Sequence, residues 1–233
     1  GNIDYYHKVG KDLFSYKSLD PSKGFTSMFM NMASMKNDGV ELQLTYDWLR
    51  SNNPSGLNWT TTYTLSYNKN RITSVENDAT TASMLIRNPY KVGYPSSALW
   101  SYRFAGIDND VNKGETLWYT SEGNTQHSVS SSGTDALVYS GQSEPKIIMG
   151  VDNTLRYRGL SLSILLSYYG GHKMRALAEE ETFEVPTSSI PSYFLNAWTP
   201  EKPTNTPGIG RYATHTGGLE ATYGDIAVRP ADF

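Results

Sequence analysis

The sequence predicts an all-β chain organised as an antiparallel up-and-down sheet, and two long hairpins with aromatic residues at their ends carry that prediction. The stronger hairpin spans 145–171. Successive strand residues point to opposite faces. Along its second arm Leu160, Leu162, Ile164, Leu166 and Tyr168 therefore share one side, and Ser161, Ser163, Leu165, Ser167 and Tyr169 the other. In the first arm Ile147, Met149, Val151, Leu155 and Tyr157 oppose Asp152, Thr154 and Arg156, with Asn153 the one break in the apolar run. Arg158-Gly159 marks a tight turn between them.

The second hairpin spans 39–70. Val40, Leu42, Leu44, Tyr46 and Trp48 alternate with Glu41, Gln43, Thr45 and Asp47. After the turn signal Asn52-Asn53-Pro54-Ser55-Gly56, Trp59, Thr61, Tyr63, Leu65 and Tyr67 alternate with Asn58, Thr60, Thr62, Thr64 and Ser66. Each arm has about the 9–11 residues that a membrane-crossing strand needs. Tyr46 and Trp48 end one arm, Trp59 begins the next and Tyr67 closes it. Rings at strand ends with aliphatics between them match the interfacial girdles of an outer-membrane barrel. A soluble β-sandwich, in which aromatics cap a core, is the other reading of the same pattern.

The remaining segments are shorter and more polar. Residues 2–8 form a strand candidate, 17–24 a Pro- and Gly-bearing linker, and 25–35 a Met-rich stretch ambiguous between strand and loop. From 71 to 97 the chain reads as loop, with Asn88-Pro89 and Tyr94-Pro95 as breakers. Residues 98–107 read as one strand, and 115–120 and 135–140 as short strands inside a long polar segment. Residues 172–184 read as a short helix, with Arg175 and Glu179 at i, i+4 spacing and Pro186 ending it. Residues 196–207 are a Pro- and Thr-rich loop, and 218–228 regain strand character. Long loops alternating with short-turn hairpins suit a barrel with external loops and short periplasmic turns.

With 233 residues the chain can hold one large β domain or two small ones. Its net charge of −3 and lack of a basic patch argue against a nucleic-acid partner. The absence of cysteine removes disulfides and thiolate metal sites. Gly1-Asn2-Ile3-Asp4 has neither the basic start nor the apolar core of a signal peptide. No apolar run reaches the roughly 18–20 residues of a membrane helix, which bears on helical spans alone.

Catalytic signatures are missing. His7, His127, His172 and His215 lack metal-ligand spacing and read as solvated loop residues. Asp108-x-Asp110-x-Asn112 resembles the start of a calcium loop, but Gly114 falls one position late and no twelfth-position glutamate follows, so turn chemistry explains it. Glu179, Glu180, Glu181 and Glu184 read as a solvated face. No GxSxG, P-loop or dinucleotide fingerprint occurs, and nothing points to an enzyme or a cofactor. Tyr90, Tyr94, Trp118, Tyr119, Tyr193, Phe194 and Trp198 lie in irregular segments, where such rings serve binding surfaces or loop packing.

Several phrases in order resemble the SusC/RagA-type TonB-dependent outer-membrane transporters. Asn37-Asp38-Gly39-Val40-Glu41-Leu42, Leu57-Asn58-Trp59 and Ser66-Tyr67-Asn68-Lys69-Asn70-Arg71-Ile72 match family phrases, as do stretches 139–170, 198–207 and 228–233. The family's acidic turn before the fourth phrase is missing from 123–135. The resemblance implies a part of a transmembrane β-barrel domain over 1–233, with the plug, the TonB-contacting N-terminus and the final strands absent. It implies import of glycan oligosaccharides or peptides across the outer membrane of a Gram-negative bacterium, with a SusD-like lipoprotein as lid and outer-membrane lipid around the wall. Glu41, Gln43, Thr45, Thr60, Thr62, Thr64, Ser161 and Ser163 are then expected to face the lumen, and Tyr90, Tyr94, Tyr193 and Trp198 to meet ligand. The alternative from another class is a soluble β-sandwich carbohydrate-binding module.

Overall fold

The computed structural model describes residues 1–18, 27–53, 55–76, 78–129, 132–175, 192–207 and 223–232. Period-two alternation produces one five-stranded antiparallel sheet, in the order β1 (Asn2–Ser18), β2 (Ser27–Leu49), β3 (Asn58–Val75), β9 (Ile147–Tyr157), β10 (Leu160–Gly170). Its hydrogen-bond register aligns equivalent residues across the strands. Ile3, Leu42, Leu65, Met149 and Tyr168 form one row, and Leu44, Tyr63, Val151 and Leu166 the next. All belong to the apolar face, which no other element of the described chain covers: Ile3 is 70%, Leu166 61% and Leu160 77% exposed.

Strands β1 and β2 extend well beyond the segments whose alternation announces them. The Met-rich stretch is strand from Ser27 onward, whereas most of the expected linker, 19–24, lies outside the described residues. Gly39 sits directly opposite Tyr6, and a Cβ there would run into the Tyr6 ring. An aromatic lying over a cross-strand glycine fills the space that the glycine leaves.

The β9–β10 connection is the two-residue turn Arg158-Gly159, with φ of 46° and 82°. Positive φ at both central residues belongs to the type I′ geometry that matches strand twist, with glycine favoured at the second. The Arg158 guanidinium lies 5.1 Å from the Tyr157 ring centre. This turn and the 50–57 loop lie at one end of the sheet, and every longer connection leaves from the other.

Between β3 and β9 the chain builds a separate cap. It holds α1 (Ala82–Arg87), β4 (Ala98–Tyr102), β5 (Phe104–Ile107), β6 (Thr116–Tyr119), β7 (Thr125–Gln126) and β8 (Leu137–Gln142). β4 pairs with β8, and β5, β6 and β7 form a three-stranded sheet. After β10, β11 (Lys173–Arg175) pairs with β12 (Val228–Pro230). The largest buried cluster, with Leu85, Trp100, Tyr102, Trp118 and Val129, lies in this cap and not on the sheet.

Four expectations need correction. Residues 98–107 are two strands in different sheets, broken at Arg103, because Tyr102 faces Leu137 while Phe104 faces Trp118. β3 pairs directly with β9, so the cap strands leave the up-and-down alternation intact. The predicted helix over 172–184 is strand at Lys173–Arg175, drawn into pairing with Val228–Pro230, and 176–184 lies outside the described residues. The helix among the described residues is instead α1, inside a stretch read as loop, with the Thr81 side chain capping the Met84 N–H. Within 218–228, residues 218–222 lie outside the described residues, Asp225–Ala227 is a 3-10 turn and Val228 begins β12.

Candidate functional site

The wall has two chemically distinct faces. Glu41, Gln43, Thr45, Thr60, Thr62, Thr64, Ser161 and Ser163 all lie on the face opposite the apolar rows, since Glu41 pairs with Ser66, Gln43 with Thr64, Thr45 with Thr62, and Thr60 and Ser163 with Thr154. Their hydroxyls bond to each other across strands. Thr45 and Thr62 hydroxyls stand 3.3 Å apart, those of Thr154 and Ser163 2.8 Å, and the Thr60 hydroxyl donates to Asp47 at 2.7 Å. Asp152 shares this face through its pairing with Thr62, and one of its carboxylate oxygens is buried without a hydrogen-bond partner among the described residues. Leu165, exposed on the same face, is its clearest apolar exception.

The apolar face is bounded by rings. Tyr5 and Tyr67 align at the cap end, with Tyr168 one row below them. Tyr46, Trp48, Trp59 and Tyr157 cluster toward the turn end, with Tyr46 and Trp48 edge to face at 4.8 Å and Trp48 and Trp59 at 5.6 Å. From Trp59 to Tyr67 the strand rises about 27 Å, or about 20 Å along a barrel normal at the usual tilt, close to the apolar band of an outer-membrane barrel. Asn153, the residue that interrupts the run, accepts from the Trp59 indole at 3.2 Å and the Thr61 hydroxyl at 2.7 Å. Thr61, almost fully buried, accepts in turn from Trp48 at 2.9 Å. The break in the sequence pattern therefore satisfies the polar edges of the aromatic belt.

The cap is stitched to the top of the wall. The Ile72 N–H donates to the Tyr94 carbonyl at 2.8 Å, the Gly93 N–H donates back to the Ile72 carbonyl at 3.0 Å, and the Asn70 side-chain oxygen accepts the Ser96 N–H at 2.7 Å. Arg175 donates to the Trp100 carbonyl at 2.5 Å and the Ser101 hydroxyl at 3.3 Å while its guanidinium lies over Tyr223, and burial lowers its pKa. Asp108 receives the N–H groups of Asp110, Val111 and Asn112, so its carboxylate closes the turn; those bonds, with Asp110 foremost, hold its pKa below the ordinary carboxylate value.

The loop aromatics separate into distinct environments. Trp118 is fully buried against Phe104, and Trp198 is buried with its indole N–H donated to Asn109 at 2.8 Å, so both rings are turned into the cap. Tyr94 stacks between Trp100 and Tyr139 at 4.7 and 5.1 Å. Tyr90 lines a half-open cavity of about 290 Å³ with Asp78, Ala79, Leu85, Lys91, Val92 and Thr134. Tyr193 lies in a 3-10 turn, Ser192–Asn196. No hydrogen bond or ring contact among the described residues links Tyr90, Tyr94 and Trp198 to one another. His7 pairs with Asp38 at 2.5 Å, His127 lies between Asp108 and Glu115 at 3.4 and 3.2 Å, and His172 stands 3.9 Å from Asp232; His215 and Glu179 to Glu184 lie outside the described residues.

A five-stranded wall with one oily, ring-bounded face, one hydroxyl-bearing face and its long connections at one end has the fold of an antiparallel outer-membrane barrel segment. The comparisons with known proteins point the same way. No protein-family model matches the chain. TonB-dependent receptor P26 of Formosa agariphila is 26% identical over 222 residues, which is 87% of this chain and 22% of that protein. TonB-dependent receptor P3 of the same organism is 22% identical over 88% of this chain and 22% of its own length. Among solved structures, the RagAB peptide transporter superposes with a TM-score of 0.69 at 23% identity, covering 99% of this chain and 25% of that chain. The RagAB peptide importer in its closed-closed state gives 0.68 at 24% identity, with 99% and 25% covered. The chain thus spans about a quarter or less of the proteins it matches, similar in sequence to a part of the TonB-dependent receptors and in fold to a part of the RagAB transporter.

Proposed function

We propose that residues 1–233 are part of the barrel domain of a TonB-dependent importer that carries nutrients across the outer membrane of a Gram-negative bacterium. The observation that carries this reading is the uncovered apolar face between two aromatic rows, backed by a continuous hydroxyl face. Hydrocarbon satisfies the first and a water-filled lumen the second. Among the described residues no second sheet packs on the apolar rows, as the core of a sandwich would require.

In this reading Glu41, Gln43, Thr45, Thr60, Thr62, Thr64, Ser161 and Ser163 line the lumen, where hydroxyls and amides suit either oligosaccharide or peptide. The cap faces outward, with Tyr90, Tyr94 and Tyr193 as the candidate ligand contacts; Trp198, buried and bonded to Asn109, is not among them. A SusD-like lipoprotein would close over it, and TonB would act through parts of the protein outside this segment. The likeness to the RagAB peptide importer favours peptide cargo.

The absence of cysteine in this chain makes the test direct. Single cysteines at Leu44 or Leu166, and at Thr64 or Ser163, are placed in the full-length protein in intact outer membranes. A hydrophilic maleimide is expected to label the second pair and spare the first. Equal labelling of both pairs overturns the membrane reading.

A further inference from the structure

The apolar face changes character within one row. Above Tyr5, Val40, Tyr67 and Ile147 the next residues on the same face are His7, Asp38 and Lys69, followed by Val9, Lys36 and Arg71. Lys36 and Arg71 are direct cross-strand partners, and Lys69 lies one row below Arg71 on the same strand. Like charges directly opposite each other on a sheet repel, with Cβ atoms only about 5 Å apart. Asp38, bonded to His7 at 2.5 Å and directly opposite Lys69, offsets one of the three positive charges; no carboxylate lies within ion-pair distance of Lys36 or Arg71 among the described residues, so the patch stays net positive. On the reverse face the same rows are nearly neutral. Asn37 and Asn70 bond to each other at 2.8 Å, and Lys8 turns its ammonium onto the Tyr6 ring at 4.6 Å. General solvation would charge both faces alike.

We infer that Lys36, Lys69 and Arg71 form a docking surface for the phosphorylated glycolipid of the outer leaflet, a phosphate lying between the opposed Lys36 and Arg71. The inference rests on the barrel reading above, with the cap outside. The rows stand one and two residue pairs above the tyrosines, about 7 and 14 Å along the strands, which is headgroup depth once strand tilt is allowed for. An anion shared by two cations turns their repulsion into charge-assisted hydrogen bonding, and the arginine fork suits phosphate oxygens. The surface continues the apolar band without interruption, so one lipid can seat its acyl chains on Ile3, Leu42 and Leu65 and its phosphate on the cations.

The test uses the full-length protein purified from outer membranes in mild detergent, with bound lipids counted by native mass spectrometry. Replacement of Lys36, Lys69 and Arg71 together by Gln is expected to lower the retained phosphorylated glycolipid at least about fivefold, as loss of charge-assisted contacts requires. The same replacement at Arg87, Lys113 and Lys202 in the cap should leave it unchanged, and glycolipid stripped of phosphate should fail to exchange in. Wild-type retention in the triple variant overturns the inference, as does equal retention of ordinary phospholipid by the wild type. Should the triple variant misfold, Lys36→Gln and Arg71→Gln are measured singly, and each is expected to lower retention. The maleimide test above reports separately on the barrel reading, so a failed lipid test with the predicted labelling pattern sinks this inference alone.

Discussion

Wall and cap come from one chain yet place their hydrophobic residues in opposite ways. The wall exposes its aliphatics in rows and is held by ladder hydrogen bonds. The cap, made of strands of two to six residues, turns Trp100, Tyr102, Trp118 and Leu137 inward around a compact core. The difference teaches that the cap carries its apolar medium within itself, whereas the wall, in the proposed reading, takes its apolar medium from outside. Burial alone would thus misjudge the wall as badly folded.

The comparison is broken most severely by emptying the cap. Trp118 is 0% exposed, with its indole N–H bonded to Thr116 at 3.1 Å. Trp118→Ala is expected to cost about 3–5 kcal/mol of local stability, as large core truncations do. Limited proteolysis of the full-length protein should then cut within the cap while the wall stays protected; cuts spread equally through both would show that the two are one cooperative unit. A second, smaller effect separates the faces of the wall. Ile164→Arg, placed between the two aromatic rows, is expected to cost about 2–4 kcal/mol in a bilayer, whereas Ser163→Arg next to it should cost far less. Urea titration of folding into vesicles reads both, and similar losses at the two positions would remove the case for a lipid-facing side. The smallest effect sharpens the turn. Arg158 occupies a left-handed position with φ of 46°, where Asn is the easier residue, so Arg158→Asn should raise hairpin stability by roughly 0.5 kcal/mol. An unchanged or lowered midpoint in the same titration would mean that the Tyr157 contact outweighs the backbone strain.

What could be read from the residues follows the same division. The wall is legible because a face that meets one medium imposes alternation, and Leu160 to Tyr168 obey it with Leu165 as the one exception. Above the tyrosine rows both faces carry polar or charged residues, His7, Asp38 and Lys69 on one and Lys8, Asn37 and Asn70 on the other. There the alternation fades, and the extension of β1 to Ser18 and the start of β2 at Ser27 went unread. The cap was hard for a different reason. Its strands are too short to show a period, and their pairing is fixed by distant partners: Lys173–Arg175 is strand because Val228–Pro230 lies beside it, against the local signal for a helix. Of the candidate site, the eight polar wall residues share a single face because one register fixes them all. Whether a loop ring is buried, as Trp198 is, depends on Asn109, a residue 89 positions away, and no local pattern reports that. Asp152 and Thr154 stood in the polar list of the first arm without being singled out, although the same register sets them beside Thr62 and Thr60.

The Arg158-Gly159 turn has a consequence for how such a chain can change in length. Two residues fix the offset between β9 and β10, and a slip of one position would carry Leu160, Leu162, Ile164 and Leu166 to the hydroxyl side and the serines to the oily one. Single-residue insertions at that end are therefore excluded. At the opposite end the chain between β3 and β9 spends 71 residues, from 76 to 146, without disturbing the pairing of Tyr67 with Ile147. Growth, loss and diversification of sequence are thereby confined to one rim of the wall, the same rim that carries the cap.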